Sequence, residues 1–98
     1  MSPLEPIIET SANKKVSIDC HITEGTPPFK IEWTKDEAVI HSNDQIKITG
    51  DQEDSTLSIK SAREEDAGKY TCSGKNTFGS KSVSTQVVIQ GMFNGQEI

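Results

Sequence analysis

Asp66-Ala67-Gly68-Lys69-Tyr70-Thr71-Cys72 is the stretch on which the reading of this chain turns. Tyr70 and Cys72 stand at i and i+2, so in a β-strand their side chains share one face and Lys69 and Thr71 take the other. Asp66 and Gly68 suit a tight corner leading into that strand, because glycine opens backbone geometry closed to other residues and aspartate bonds its own turn. From such a corner the tyrosine hydroxyl can reach back to the main chain. Far upstream stand Cys20 and Trp33, and with them the stretch forms a widely spaced set.

Working outward, most segments alternate with the two-residue period of half-buried strands. In Lys15 to Ile22, Val16, Ile18, Cys20 and Ile22 face in and Lys15, Ser17, Asp19 and His21 face out. Phe29, Ile31 and Trp33 alternate with Lys30, Glu32 and Thr34. Ala38 to His41 reads as a short edge strand after a turn at Lys35-Asp36-Glu37. Ile46 and Ile48, then Leu57 and Ile59, are the inward pairs of two further strands, with Thr56, Ser58 and Lys60 outward. Val83, Val87 and Ile89 face in from a last strand at Lys81 to Ile89. Turn residues separate these runs: Asn13-Lys14, Glu24-Gly25-Thr26-Pro27-Pro28, Asn43-Asp44, Gly50 to Asp54, and Asn76-Thr77-Phe78-Gly79. In the last of these, Asn76 and Gly79 are expected to supply left-handed backbone positions. Ala62 to Asp66 suits one helical turn. Leu4 to Glu9 carries Pro6 and follows Pro3, so it reads as an edge strand split or kinked at Pro6. The result is an all-β chain of two antiparallel sheets.

This strand order, with Cys20, Trp33 and the Asp66-x-Gly68-x-Tyr70-x-Cys72 motif, resembles the immunoglobulin superfamily, most closely its I-set type. The likeness spans residues 1–90 as a single domain and leaves 91–98 as a linker or the start of a next module. It implies a sandwich in which strands A, B, E and D face C′, C, F and G. It pairs Cys20 with Cys72 in a disulfide, packs Trp33 on that bridge, and makes Leu57, Asp66, Gly68 and Tyr70 the rest of the core signature. Such a bridge, closing a loop of about 50 residues, would stabilise by roughly 4 kcal/mol. Relatives often pair the motif aspartate with an arginine opening strand D. Here that region reads Asp44-Gln45-Ile46-Lys47, which leaves capping its own turn as the expected role of Asp66. More finely, Glu24 to Asp36, Ser55 to Ile59 and Lys75-Asn76 resemble Dscam-type adhesion molecules, with Gly74 and Glu37 as departures from that pattern. Titin-like muscle modules share the same motifs more loosely, and they keep the same cysteines reduced in the cytosol.

Composition bounds the function. Ninety-eight residues make one domain with a modest core, and only 32% are apolar. A net charge of −5 speaks against nucleic acid and anionic membrane as partners. No run approaches the roughly 18 apolar residues of a membrane helix. Met1-Ser2-Pro3-Leu4 has no apolar signal region, so the chain is expected to be cytosolic or a module excised from a larger protein. Two cysteines are too few for a tetrahedral zinc site without histidine help, and His21 and His41 lack ligand spacing. Asp51, Glu53 and Asp54 resemble a calcium loop only superficially, since no glutamate follows at EF-hand spacing. No Gly-x-Ser-x-Gly occurs, and no asparagine opens a glycosylation sequon.

The expectation is therefore a non-catalytic recognition module with no cofactor and no metal. Its partners would be proteins, including a second copy of itself in a weak homodimer, and neighbouring immunoglobulin modules of the same chain. The candidate binding face is the outward set Lys15, Ser17, Asp19 and His21 with Thr56, Ser58 and Lys60, which carries both signs of charge. It has no aromatic anchor, so contacts there should be weak. Lys30, Glu32, Lys69 and Thr71 form the competing face. The resemblance to adhesion molecules implies an extracellular, cell-surface location; the titin-like alternative implies a cytoplasmic, sarcomeric one.

Overall fold

The alternating runs form β1 (Ile7–Ser11), β2 (Val16–His21), β3 (Lys30–Lys35), β4 (Ala38–Val39), β5 (Ile46–Gly50) and β6 (Asp54–Ile59). A single 3-10 turn (Glu64–Asp66) then leads into the long hairpin of β7 (Gly68–Asn76) and β8 (Gly79–Gln90). The structure, a computed structural model, describes residues 4–23, 25, 28–51 and 53–90. Part of the loop read at Glu24 to Pro28, part of that at Gly50 to Asp54, and the whole of 91–98 lie outside the described residues. Two sheets face each other, one ordered β1-β8-β7-β3-β4 and the other β2-β6-β5.

The core lies between them and holds the inward residues of the alternation. Val16, Ile18, Cys20, Leu57, Ile59 and Val87 are all buried, and Trp33, Tyr70 and Cys72 close the centre. Trp33 and Cys72 are register partners on β3 and β7, so both project inward side by side. Cys72 is bonded across the sandwich to Cys20, with the two Cα atoms 6.4 Å apart. The indole N–H of Trp33 donates to Ser55 Oγ at 2.9 Å, and Ser55 donates onward to the Thr49 carbonyl at 3.1 Å. Ser55 thus serves an inward position that the apolar pattern of β6 does not mark.

The corner ahead of β7 works as its residue types require. The Tyr70 hydroxyl donates to the Asp66 carbonyl at 2.6 Å. The Asp66 carboxylate accepts from the Arg63 amide at 2.9 Å and closes the turn. It has a second partner, the side-chain amide of Gln45 at 2.8 Å. The residue just ahead of β5 therefore still addresses Asp66, although as a neutral donor rather than an arginine. Gly68 has φ +153°, and a Cβ there would stand 2.7 Å from Asp36 Oδ2. Lys35 donates to the Glu65 carbonyl and sits 5.9 Å from the centre of the Tyr70 ring, covering the corner.

Two expectations are corrected. The first strand does not join β2, β6 and β5: Ile7–Ser11 runs parallel to β8 on the opposite sheet, Ile8 beside Val87. That sheet is therefore mixed. The strand begins only after Pro6, whose carbonyl accepts from the Gln86 amide at 3.0 Å and ties the chain to β8 at the point where the pairing starts. At the β7–β8 turn, Gly79 has the positive φ (+149°), but Asn76 is not among the positive-φ residues. Its side-chain oxygen instead accepts the amides of Phe78 and Gly79, which turns the chain without a left-handed asparagine.

Candidate functional site

The outer face of β2-β6-β5 gathers the residues that the alternation points outward. Register sets them in rows. Ser17 stands beside Ser58 and Ser58 beside Lys47; Asp19 stands beside Thr56 and Thr56 beside Thr49; His21 stands beside Asp54. Lys15 precedes Val16 and Lys60 follows Ile59, and those two are themselves partners. The face is thus divided along the strands. Lys15, Lys60 and Lys47 mark one end, and Asp19, His21 and Asp54 the other.

Local chemistry holds the acidic end in place. Thr56 donates to the Asp19 carboxylate at 2.8 Å, so that carboxylate is oriented on the sheet rather than swinging free. His21 Nδ1 meets Asp54 Oδ1 across the strands. The adjoining loop is organised by Asp51, whose carboxylate accepts the amides of Glu53 at 2.8 Å and Asp54 at 2.9 Å. Those two amide bonds hold the Asp51 carboxyl below the usual carboxylate range. The acidic loop is thus a turn built around one aspartate. All seven residues expected on this face lie on its strands or flank them. Asp54 closes the loop that the turn residues mark, yet it shares the parity of Thr56 and Ser58 and stands on β6, a position that this parity signals. Lys47, between the inward Ile46 and Ile48, takes the outer side of β5, and the β5–β6 register sets it beside Ser58.

The competing residues Lys30, Glu32, Lys69 and Thr71 share the outer face of the other sheet, where Lys30 is the direct partner of Lys75 and Glu32 of Ser73. The two candidate surfaces are on opposite sides of the sandwich. Among the described residues no helix is long and apolar enough to cross a membrane.

Two facing sheets, a central bridge with a tryptophan beside it, and a tyrosine hydroxyl locking the corner define an immunoglobulin-type sandwich. Residues 3–89 match the immunoglobulin I-set domain, and the chain belongs to that family. Myopalladin of Mus musculus is 31% identical over 86% of this chain, which spans 6% of that relative. Fibroblast growth factor receptor-like 1 of Homo sapiens is 37% identical over 86% of this chain, which spans 16% of it. An I-band fragment of titin, I67–I69, superposes with TM-score 0.81 and 33% identity, covering 93% of this chain and 34% of the fragment. The Ig7 domain of Dscam1 superposes equally well, TM-score 0.81 over 90% of this chain and 92% of that domain, but at 19% identity it shares the fold alone. The relatives thus include muscle proteins and receptors, and this chain is a small part of their length.

Proposed function

We propose that this chain is a non-catalytic recognition module of a cell-surface adhesion protein, binding protein partners that include its own kind. The observation that carries this reading is the division of charge on the β2-β6-β5 face. A two-fold antiparallel contact lays the lysine end of one copy on the aspartate end of the other, so Asp19 meets Lys15 or Lys60 of its partner. The absence of a large aromatic side chain from the named set makes the contact weak, micromolar or worse, and suited to action in arrays. The receptors among the relatives support the cell-surface location. The motifs shared with Dscam-type molecules support recognition of self or of close relatives.

Sedimentation at rising concentration tests the self-contact. The unmodified chain should dimerise, Asp19→Lys should abolish the dimer, and Lys30→Glu should leave it intact. A chain that stays monomeric at high concentration removes the self-recognition reading, and a dimer broken only by Lys30→Glu moves the contact to the other sheet.

A second reading, a structural module of an intracellular titin-like muscle protein, draws on the 33% identity to the titin fragment. Titration of Cys20 and Cys72 thiols in the protein from its own source separates the two. Bonded cysteines support the surface protein, and free thiols the cytosolic filament.

A further inference from the structure

The end of the sandwich that carries the β7–β8 turn has features that the proposed self-contact does not use. A cavity of about 390 Å³ lies there, with Ile22, Phe29 and Phe78 among its walls. Phe78, at the tip of the turn, is 82% exposed. Ser80 lines this cavity and also a second, adjoining concavity that includes Lys30 and Lys75. Lys30 and Lys75 are direct partners across β3 and β7, and Lys75 is in turn the partner of Ser80. Neither lysine has an ion pair among the described residues. Like charges set opposite each other on a sheet repel, and here they do so on a chain whose net charge is −5. The arrangement is relieved by an anionic group between the two ammonium groups, beside an apolar hollow with an aromatic lip.

We infer that this end is a docking site for an acidic segment of a partner protein, with carboxylates at Lys30 and Lys75 and one aromatic or large aliphatic side chain in the hollow against Phe29 and Phe78. The charge pair sets the sign of the occupant, and the hollow demands that it be more than a charge. Ser80 lines both hollows and offers a hydroxyl to the segment linking the two subsites. Glu32, in the same concavity, disfavours a purely polyanionic ligand and favours one with few, spaced carboxylates.

The test uses the whole chain and a fluorescein-labelled capped peptide of sequence Glu-Ser-Phe-Ser-Glu, with one spaced carboxylate on each side of the aromatic residue, read by fluorescence anisotropy. Two companion peptides replace its glutamates by glutamine or its phenylalanine by alanine. Saturable binding is expected for the first, with at least about tenfold weaker binding for either companion. The Lys30→Glu/Lys75→Glu double variant and, separately, Phe78→Ser should each reproduce such a loss, while Lys60→Glu on the other sheet should not. All these positions are exposed, and unchanged Trp33 fluorescence confirms that each variant is folded. No saturation by about 1 mM peptide, a value typical of non-specific contact, overturns the proposal. Equal binding of the glutamine peptide, or an equal loss with Lys60→Glu, overturns it as well. So does binding confined to phosphatidylserine vesicles with none to the peptide, which assigns the lysines to a membrane surface.

Discussion

Gln45 donates its side-chain amide to the buried carboxylate of Asp66 at 2.8 Å, and so ties the start of β5 to the corner that admits β7. The same amide nitrogen reaches the Ser61 carbonyl. One neutral side chain thereby ties the chain just ahead of β5 to two points of the Ser61–Asp66 stretch, 16 and 21 residues further on. Hydrogen bonds to charged groups contribute about 1.5–3 kcal/mol, so Gln45→Ala should lower unfolding stability by that amount in urea titration. A change below about 0.5 kcal/mol, within the range of an ordinary surface substitution, would show that the Arg63 amide alone satisfies Asp66.

Trp33 should be the most costly core side chain to truncate. Trp33→Ala removes the packing beside the bridge and is expected to cost about 3–5 kcal/mol. Ser55→Ala isolates the indole contribution, leaving a buried N–H without its acceptor at a cost of about 1–3 kcal/mol. Both are measured by chemical denaturation, with tyrosine rather than tryptophan fluorescence for the first variant.

The β3–β4 turn stores removable strain. Asp36 has φ +49° and Glu37 φ +75°, both in the left-handed region. Asp36 is compensated, since its carboxylate accepts the Lys69 amide at 3.0 Å. Glu37 has no such compensation among the described residues. Glu37→Gly should therefore raise stability by up to about 1 kcal/mol, in a thermal melt at fixed pH. Gly68→Ala should act in the opposite direction, by about 1–3 kcal/mol, because its φ and its approach to Asp36 both exclude a Cβ.

Thr85 faces the core as the register partner of Tyr70, and its hydroxyl finds no hydrogen-bond partner among the described residues. Replacing the hydroxyl with a methyl group of similar volume removes a desolvated polar atom. Thr85→Val should stabilise by about 1 kcal/mol, read from the denaturation midpoint at unchanged slope. A loss of stability would reveal an unrecognised partner for the hydroxyl.

Tyr70 sets an alkaline limit on the fold. Burial first, then the negative charges of Asp66 and Asp36, raise its pKa well above the ordinary tyrosine value. Above about pH 10 the unfolded chain releases the phenolic proton while the folded chain keeps it. The unfolded state then binds fewer protons, so stability is intact below pH 10 and falls by up to about 1.4 kcal/mol per pH unit above it. Tyr70 is the only tyrosine. Its phenolate absorbance should therefore appear together with unfolding, and ionisation of a still-folded chain would contradict the buried corner.

Period-two alternation and the Asp66-to-Cys72 motif made most of the sandwich legible in the sequence, because each inward residue announces its own face within a few positions. That is how Val16, Ile18 and Cys20, or Leu57 and Ile59, could be assigned before any contact was known. The corner was legible for the same reason, since Gly68 and Tyr70 act on residues near them in the chain. What the tertiary structure decided were relations between segments. Pairing β1 with β8 depends on which sheet edge is open when the chain emerges from Pro6, and no local pattern records that. His21 meeting Asp54 and Lys30 standing opposite Lys75 follow from register, while Ser55 receiving the Trp33 indole and Gln45 answering Asp66 follow from how the two sheets and the corner pack together. A strand's own sequence specifies which way its residues point, but the neighbour each one meets is set by hydrogen bonds to a strand elsewhere in the chain.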